Sequence, residues 1–164
     1  MFKCGDTVIY GTSGAYKITN EIEKDYLGKN EICFVLEPVF GGNMKIYLPK
    51  NNTELSSKMR FMIAKPQLLS LIKNLKSEGE KYITNDNARK EAYQGILKSG
   101  DQKRIAGIIK TLHNKRTEQL NNKKRLHQCD ERMLREAEKL LYDEIAFVLD
   151  ISHEDAAALI LENK

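Results

Sequence analysis

No apolar run in this sequence approaches the ~18 residues that a membrane-spanning helix requires, and the first residues lack a basic segment followed by an apolar one. The first absence argues against a membrane protein and the second against a secretory signal. The cytoplasm is therefore the expected location. Cysteine is scarce: Cys4, Cys33 and Cys129 are an odd number with no C-x-x-C spacing, so they read as reduced thiols. His127-Gln128-Cys129 has no second ligand pair, and no metal is expected. Also missing are a G-x-x-x-x-G-K-[ST] phosphate loop, a G-x-S-x-G elbow and an H-E-x-x-H pair. His113, His127 and His153 are scattered, and Asp143-Glu144 reads as the solvated side of an amphipathic helix. Catalytic residues, a cofactor and a small-molecule substrate are accordingly not expected. Tryptophan is absent altogether.

What is present is charge, distributed unevenly. The chain has 164 residues, 41% apolar and 30% charged, with a net charge of +4. Residues 1–60 hold 8 Lys/Arg and 7 Asp/Glu, a net +1. Residues 61–128 hold 15 and 6, a net +9, and residues 129–164 hold 4 and 10, a net −6. A basic middle between a neutral head and an acidic tail suggests that one region faces a polyanion while the others do not.

Pattern divides the chain as well. Thr7-Val8-Ile9-Tyr10 and Ala15-Tyr16-Lys17-Ile18 read as strands around a turn bracketed by Gly11 and Gly14. After a turn at 26–30 come Ile32–Leu36, a tight hairpin signal at Gly41-Gly42-Asn43, a strand over Met44–Leu48, and a last short strand near Met59–Met62. This spacing predicts a small SH3- or Tudor-like β-barrel. The period changes near Pro66, where Leu68, Leu71, Ile72 and Leu75 form a helical stripe that Gly79 is expected to end. A second helix begins near Thr84-Asn85. A third follows Ser99-Gly100-Asp101-Gln102, read as a capping box, with Ile105, Ile108, Ile109 and Leu112 inward. A fourth runs from about Asp130 to Leu149, and Ser152 opens a last short one. The expected fold is α+β: a barrel over residues 1–62, then a bundle of about five helices over residues 63–164.

The basic set is the main functional signal. Arg89 and Lys90 open the second helix, where free backbone N–H groups also favour phosphate. Lys98 closes it. Lys103 and Lys110, seven residues apart, share a face of the third helix away from its apolar stripe, and Arg104 lies near the stripe's edge. These six residues are the predicted nucleic-acid contacts.

The order of residues adds to this. Phe2-Lys3, Gly5-Asp6-Thr7-Val8, Tyr10, Gly14, Ile22-Glu23, Gly28 and the strand Ile46-Tyr47-Leu48-Pro49 resemble the CarD/CdnL family of bacterial transcription regulators. The opening module also occurs in the transcription-repair coupling factor. In the second half the resemblance continues through Leu97, Ser99-Gly100-Asp101, Ile105, Leu112, Asp130–Leu134, Ala137 and Leu141–Ala146. It implies a non-enzymatic, nucleoid-associated regulator. The barrel would hold the β subunit of RNA polymerase through Ile46, Tyr47, Leu48 and Pro49. The helices would hold promoter DNA by sequence-independent backbone and minor-groove contacts, stabilising promoter complexes.

Two positions depart from that pattern. Actinobacterial relatives wedge a tryptophan into the minor groove near the start of the second helix, where the register places Asp86 here; Tyr82, one turn upstream, is a candidate substitute. The often basic position in the polymerase-facing strand is Tyr47. The alternative from a different class is an RNA- or ribosome-associated binding module with the same SH3-like barrel and basic helices.

Overall fold

The architecture is that of a computed structural model, which describes residues 1–75 and 79–162. The chain divides into two compact units, Met1–Met62 and Ile63–Lys164. The first is a five-stranded antiparallel sheet of β1 (Thr7–Tyr10), β2 (Ala15–Tyr26), β3 (Lys29–Pro38), β4 (Ile46–Pro49) and β5 (Met59–Phe61), in the order β4-β3-β2-β1-β5. Gly14, at φ 101°, turns β1 into β2 in a conformation that a side chain would disfavour. Val8, Tyr16, Ile18, Phe34, Leu36, Leu48 and Met59 form the core of this unit, with Phe2, Tyr10, Ile46 and Leu55 packed on it.

The expected barrel is not closed: β4 and β5 are the sheet's two edges and do not pair. The edge strands have four and three residues, too few to curl round a hairpin whose arms run to 12 and 10. That hairpin was underestimated in the sequence. A bulge between Ile18 and Asn20 shifts the register, after which β2 and β3 continue together to Tyr26 opposite Lys29, largely exposed. The glycine signal at 41–43 is also no tight hairpin. Gly41 and Gly42 have φ of 62° and 81° inside a loop from 39 to 45, which leaves Met44 and Lys45 outside β4. A short helix, α1 (Thr53–Ser56), was missed; the Asn52 side chain caps it by accepting from the Leu55 N–H at 3.0 Å.

The second unit has α2 (Lys65–Lys73), α3 (Asp86–Ser99), α4 (Gln102–Asn121), α5 (Gln128–Leu149) and α6 (His153–Leu161). α2 ends at Lys73, short of the expected stop at Gly79; residues 76–78 of that predicted stretch lie outside the described residues. Asn85 caps α3 by accepting from the Ala88 N–H. The cap of α4 is Asp101, not Ser99: Gly100 adopts φ 70° to close α3, so the chain restarts one residue later. Ile105, Ile108, Ile109 and Leu112 are fully buried, as their spacing predicts, and Ser152 caps α6.

α5 is the hub, packing against α2, α3, α4 and α6. Met133, Leu134, Ala137, Leu140, Leu141 and Ile145 fill that interior, the larger ones stabilising by about 1.5–3 kcal/mol each when fully buried. Asp143 and Glu144 correct the expectation of a solvated face, being 2% and 1% exposed. Asp143 is bonded by His153 at 2.7 Å and Lys139 at 3.1 Å, and Glu144 accepts the Ile63 N–H at 2.8 Å. A helix surrounded by four neighbours leaves little perimeter for water, so even its carboxylates are used internally.

Candidate nucleic-acid interface

The six predicted contacts separate into two groups. Lys90, Lys98, Lys103 and Arg104 are exposed, whereas Arg89 and Lys110 are 1% and 5% exposed. Arg89 is a correction. It points inward between α3 and α5, where its Nε donates to Asp130 Oδ1, its Nη2 to Asp86 Oδ1 and its Nη1 to the Ile83 carbonyl, each at 2.8 Å. Asp130 is itself fully buried. Burial alone would lower the Arg89 pKa, but the bonds to Asp130 and Asp86 outweigh it and hold the guanidinium more firmly charged. All three of its donor directions are used before any phosphate arrives. Lys110 is a second correction, drawn into the bundle because it follows the buried Ile108-Ile109 pair on the same turn.

Asp86, which the resemblance sets at the wedge position, is engaged within the helical unit. Its carboxylate anchors Arg89, and the His127 ring lies 3.9 Å from it. Tyr82, the candidate substitute, is half-buried and already engaged. Its ring lies between the Arg89 guanidinium at 4.7 Å and the Lys115 ammonium at 4.9 Å, and its hydroxyl donates to Asp130 at 3.3 Å. Burial, then the Asp130 charge, raises its pKa.

Of the exposed cations, Lys98 on α3 and Lys103 and Arg104 on α4 flank the turn at Gly100, while Lys90 stands near the start of α3. Arg104 is ion-paired with Glu80 at 3.1 Å. Lys123, Lys124 and Arg125 add a second exposed basic stretch between α4 and α5. The acidic tail folds back on part of the basic middle: Arg116 forms a fork with Glu131, His113 meets Glu138 at 2.6 Å, and Arg89 meets Asp130. Blocks of charge along the chain are therefore not patches in space.

In the sheet unit, Leu48 and Pro49 are buried, and Ile46 and Leu48 belong to the core side. Of the four predicted polymerase contacts, Tyr47 and Pro49 are at the positions that face the other side, and of these Tyr47 is half-buried, with the Lys24 ammonium 3.4 Å from its ring centre. A cation from β2 thus reaches across β3 to the β4 edge, a contact that only register across the sheet reveals. Among the described residues no group of three or more His, Cys, Asp or Glu is arranged to hold a metal ion, and no helix is long and apolar enough to cross a membrane.

Two family models match the chain, CarD-like/TRCF RID domain over residues 2–63 and CarD, C-terminal domain, over residues 70–161. No curated protein matches it.

Proposed function

The chain belongs to the CarD family of RNA polymerase-interacting transcription factors, and from that premise we propose that its sheet unit holds the polymerase β subunit while its helical unit holds promoter DNA. The observation that carries the DNA half is the trio Lys90, Lys98 and Lys103, exposed near the start of α3, at its end and at the start of α4, and without an ion-pair partner among the described residues. Arg89 and Lys110 leave the contact set, and Arg104 contributes only by exchanging Glu80 for a phosphate. The polymerase half rests on the β4 edge with Tyr47 and Lys24. An edge strand offers backbone groups for strand addition, and the tyrosine with its stacked ammonium supplies area and charge. Tethering makes a weak DNA surface effective, because the docked unit raises the local concentration of the other.

Salt titration of the full chain on duplex DNA tests the first half. Three phosphate contacts predict a loss of about 40-fold in affinity between about 50 and 200 mM salt; a flat response overturns it. Capture of the full chain by an immobilised β-subunit fragment tests the second, with Tyr47→Ala expected to weaken capture. Selective binding of RNA without β-subunit capture would favour the ribosome-associated alternative. Open-complex lifetime measured with and without the protein then separates stabilisation of the bubble from recruitment alone.

A further inference from the structure

Residues 129–164 have a net charge of −6, yet the outer side of α5 is cationic. The helix turns its carboxylates inward: Asp130 meets Arg89, Glu131 meets Arg116, Glu138 meets His113, and Asp143 and Glu144 are buried. Its exposed basic residues point the other way. At about 100° per residue, Arg132, Arg135 and Lys139 fall within about 60° of one another, and each lies about 140–180° round the helix from Asp130. Asp130 is the residue that meets α3, so this stripe faces away from the helix that carries Lys90 and Lys98. Arg132 and Arg135 have no ion-pair partner among the described residues, while Lys139 is shared with Asp143 at 3.1 Å. The chain enters α5 through Lys123, Lys124 and Arg125, also exposed. Between 123 and 139 six Lys/Arg are exposed, whereas the four carboxylates Asp130, Glu131, Glu136 and Glu138 are half-buried or buried. No apolar side chain is exposed on the stripe; Phe147, the exposed apolar residue of α5, lies about two turns beyond Lys139. Protein interfaces centre on apolar groups, and single strands are held by stacking on aromatic rings. A face of cations without either fits the phosphate backbone of a duplex, which asks for charge and no pocket.

We propose that the outer face of α5 is a second duplex-DNA surface, so that one helical unit holds two DNA segments, one on the lysines of α3 and one on α5. The bridging rests on the DNA reading of those lysines; the α5 contact does not. The test mixes the full chain with a biotinylated duplex on beads and a fluorescent duplex of the same sequence in solution. Retention of the fluorescent duplex is expected, falling again once excess protein covers each duplex separately. Arg132→Gln/Arg135→Gln and Lys90→Gln/Lys98→Gln should each still bind a single duplex but bridge about tenfold less or worse, since charge-assisted contacts are among the stronger polar ones. An equimolar mixture of the two double variants should not bridge, because neither molecule has both surfaces. Bridging by that mixture assigns it to association between copies and overturns the proposal. Parental bridging by Arg132→Gln/Arg135→Gln also overturns it, as does a parent that binds one duplex and never retains a second. Anisotropy on a single duplex keeps the two readings apart. A Lys90→Gln/Lys98→Gln protein that no longer binds leaves no duplex contact on α5 and overturns the proposal. An Arg132→Gln/Arg135→Gln protein that no longer binds supports the α5 contact and overturns the lysine reading, and the bridging with it.

Discussion

Replacing Arg89 with methionine is expected to destabilise the helical unit strongly while leaving the proposed DNA surface intact. The guanidinium makes three bonds of 2.8 Å, and its main partner, Asp130, is fully buried and cannot be resolvated in place. Removing one member of such a pair typically costs about 3–5 kcal/mol, a large share of the ~5–15 kcal/mol that a domain possesses. With a urea m-value near ~2 kcal/mol/M, the unfolding midpoint should fall by about 2 M. Arg89→Lys should be intermediate, since a point charge cannot serve three directions at once. The double variant Arg89→Met/Asp130→Leu should recover part of the loss, because two apolar groups leave no buried charge. Recovery stays partial because the Ile83 carbonyl and the Tyr82 hydroxyl each lose a partner. Circular dichroism against urea, alongside DNA affinity of the native fraction, supplies both readouts. If Arg89→Met keeps the parental midpoint and loses DNA affinity, the side chain is a phosphate contact after all and the internal tie is unimportant.

Other outcomes follow from the same geometry. Lys90→Gln and Lys98→Gln should each reduce the slope of log affinity against log salt by about 0.9 and leave the unfolding midpoint in place. Gly79→Ala puts a Cβ 2.2 Å from Thr111 Oγ1 and 2.7 Å from the Gly107 carbonyl oxygen, so thermal melts should show a loss of about 1–3 kcal/mol or more. Gly107→Ala meets mainly the Glu80 Cγ at 2.9 Å, a side chain that can move; about 1 kcal/mol of helix propensity offsets the contact, and the melt should change little. Burial first of all pushes Tyr93 up to about 12 from 10.0. Its protonated phenol, bonded to the Lys81 carbonyl at 3.0 Å, therefore stabilises the fold fully below about pH 10, and that contribution disappears as pH rises toward 12. Urea midpoints should fall across that window, less steeply in Tyr93→Phe; identical pH profiles in the two proteins would count against this assignment.

The helices were legible because their apolar stripes coincide with buried faces: Ile105, Ile108, Ile109 and Leu112 follow the period without exception. The caps Asn85 and Ser152 were equally plain, whereas the capping-box spacing at Ser99 was a decoy, because Gly100 took the left-handed conformation that ends the preceding helix. The sheet was harder. A bulge near Thr19 and polar residues on both faces beyond it conceal how far β2 and β3 extend, since alternation fades where neither face is covered. In the candidate interface, residue type alone could not distinguish Arg89 from Lys90, its neighbour in sequence and its opposite in exposure. The helical period contained a signal: Arg89 is four residues before Tyr93 and seven before Ile96, on the buried face. A cation on that stripe requires an internal acid, and Asp130 supplies it from a helix 41 positions away in the chain.

The folding of the acidic tail onto the basic middle has a consequence for regulation by ionic strength. Small ions weaken contacts between exposed charges far more than contacts already shielded from water. The exposed lysines of α3 and α4 belong to the first kind, while the Arg89–Asp130 tie belongs to the second, with the half-buried Arg116–Glu131 fork between them. If those lysines hold a polyanion as proposed, a rise in salt acts as a release signal without acting as a denaturant: the protein would leave its ligand still folded, ready to return when the salt falls.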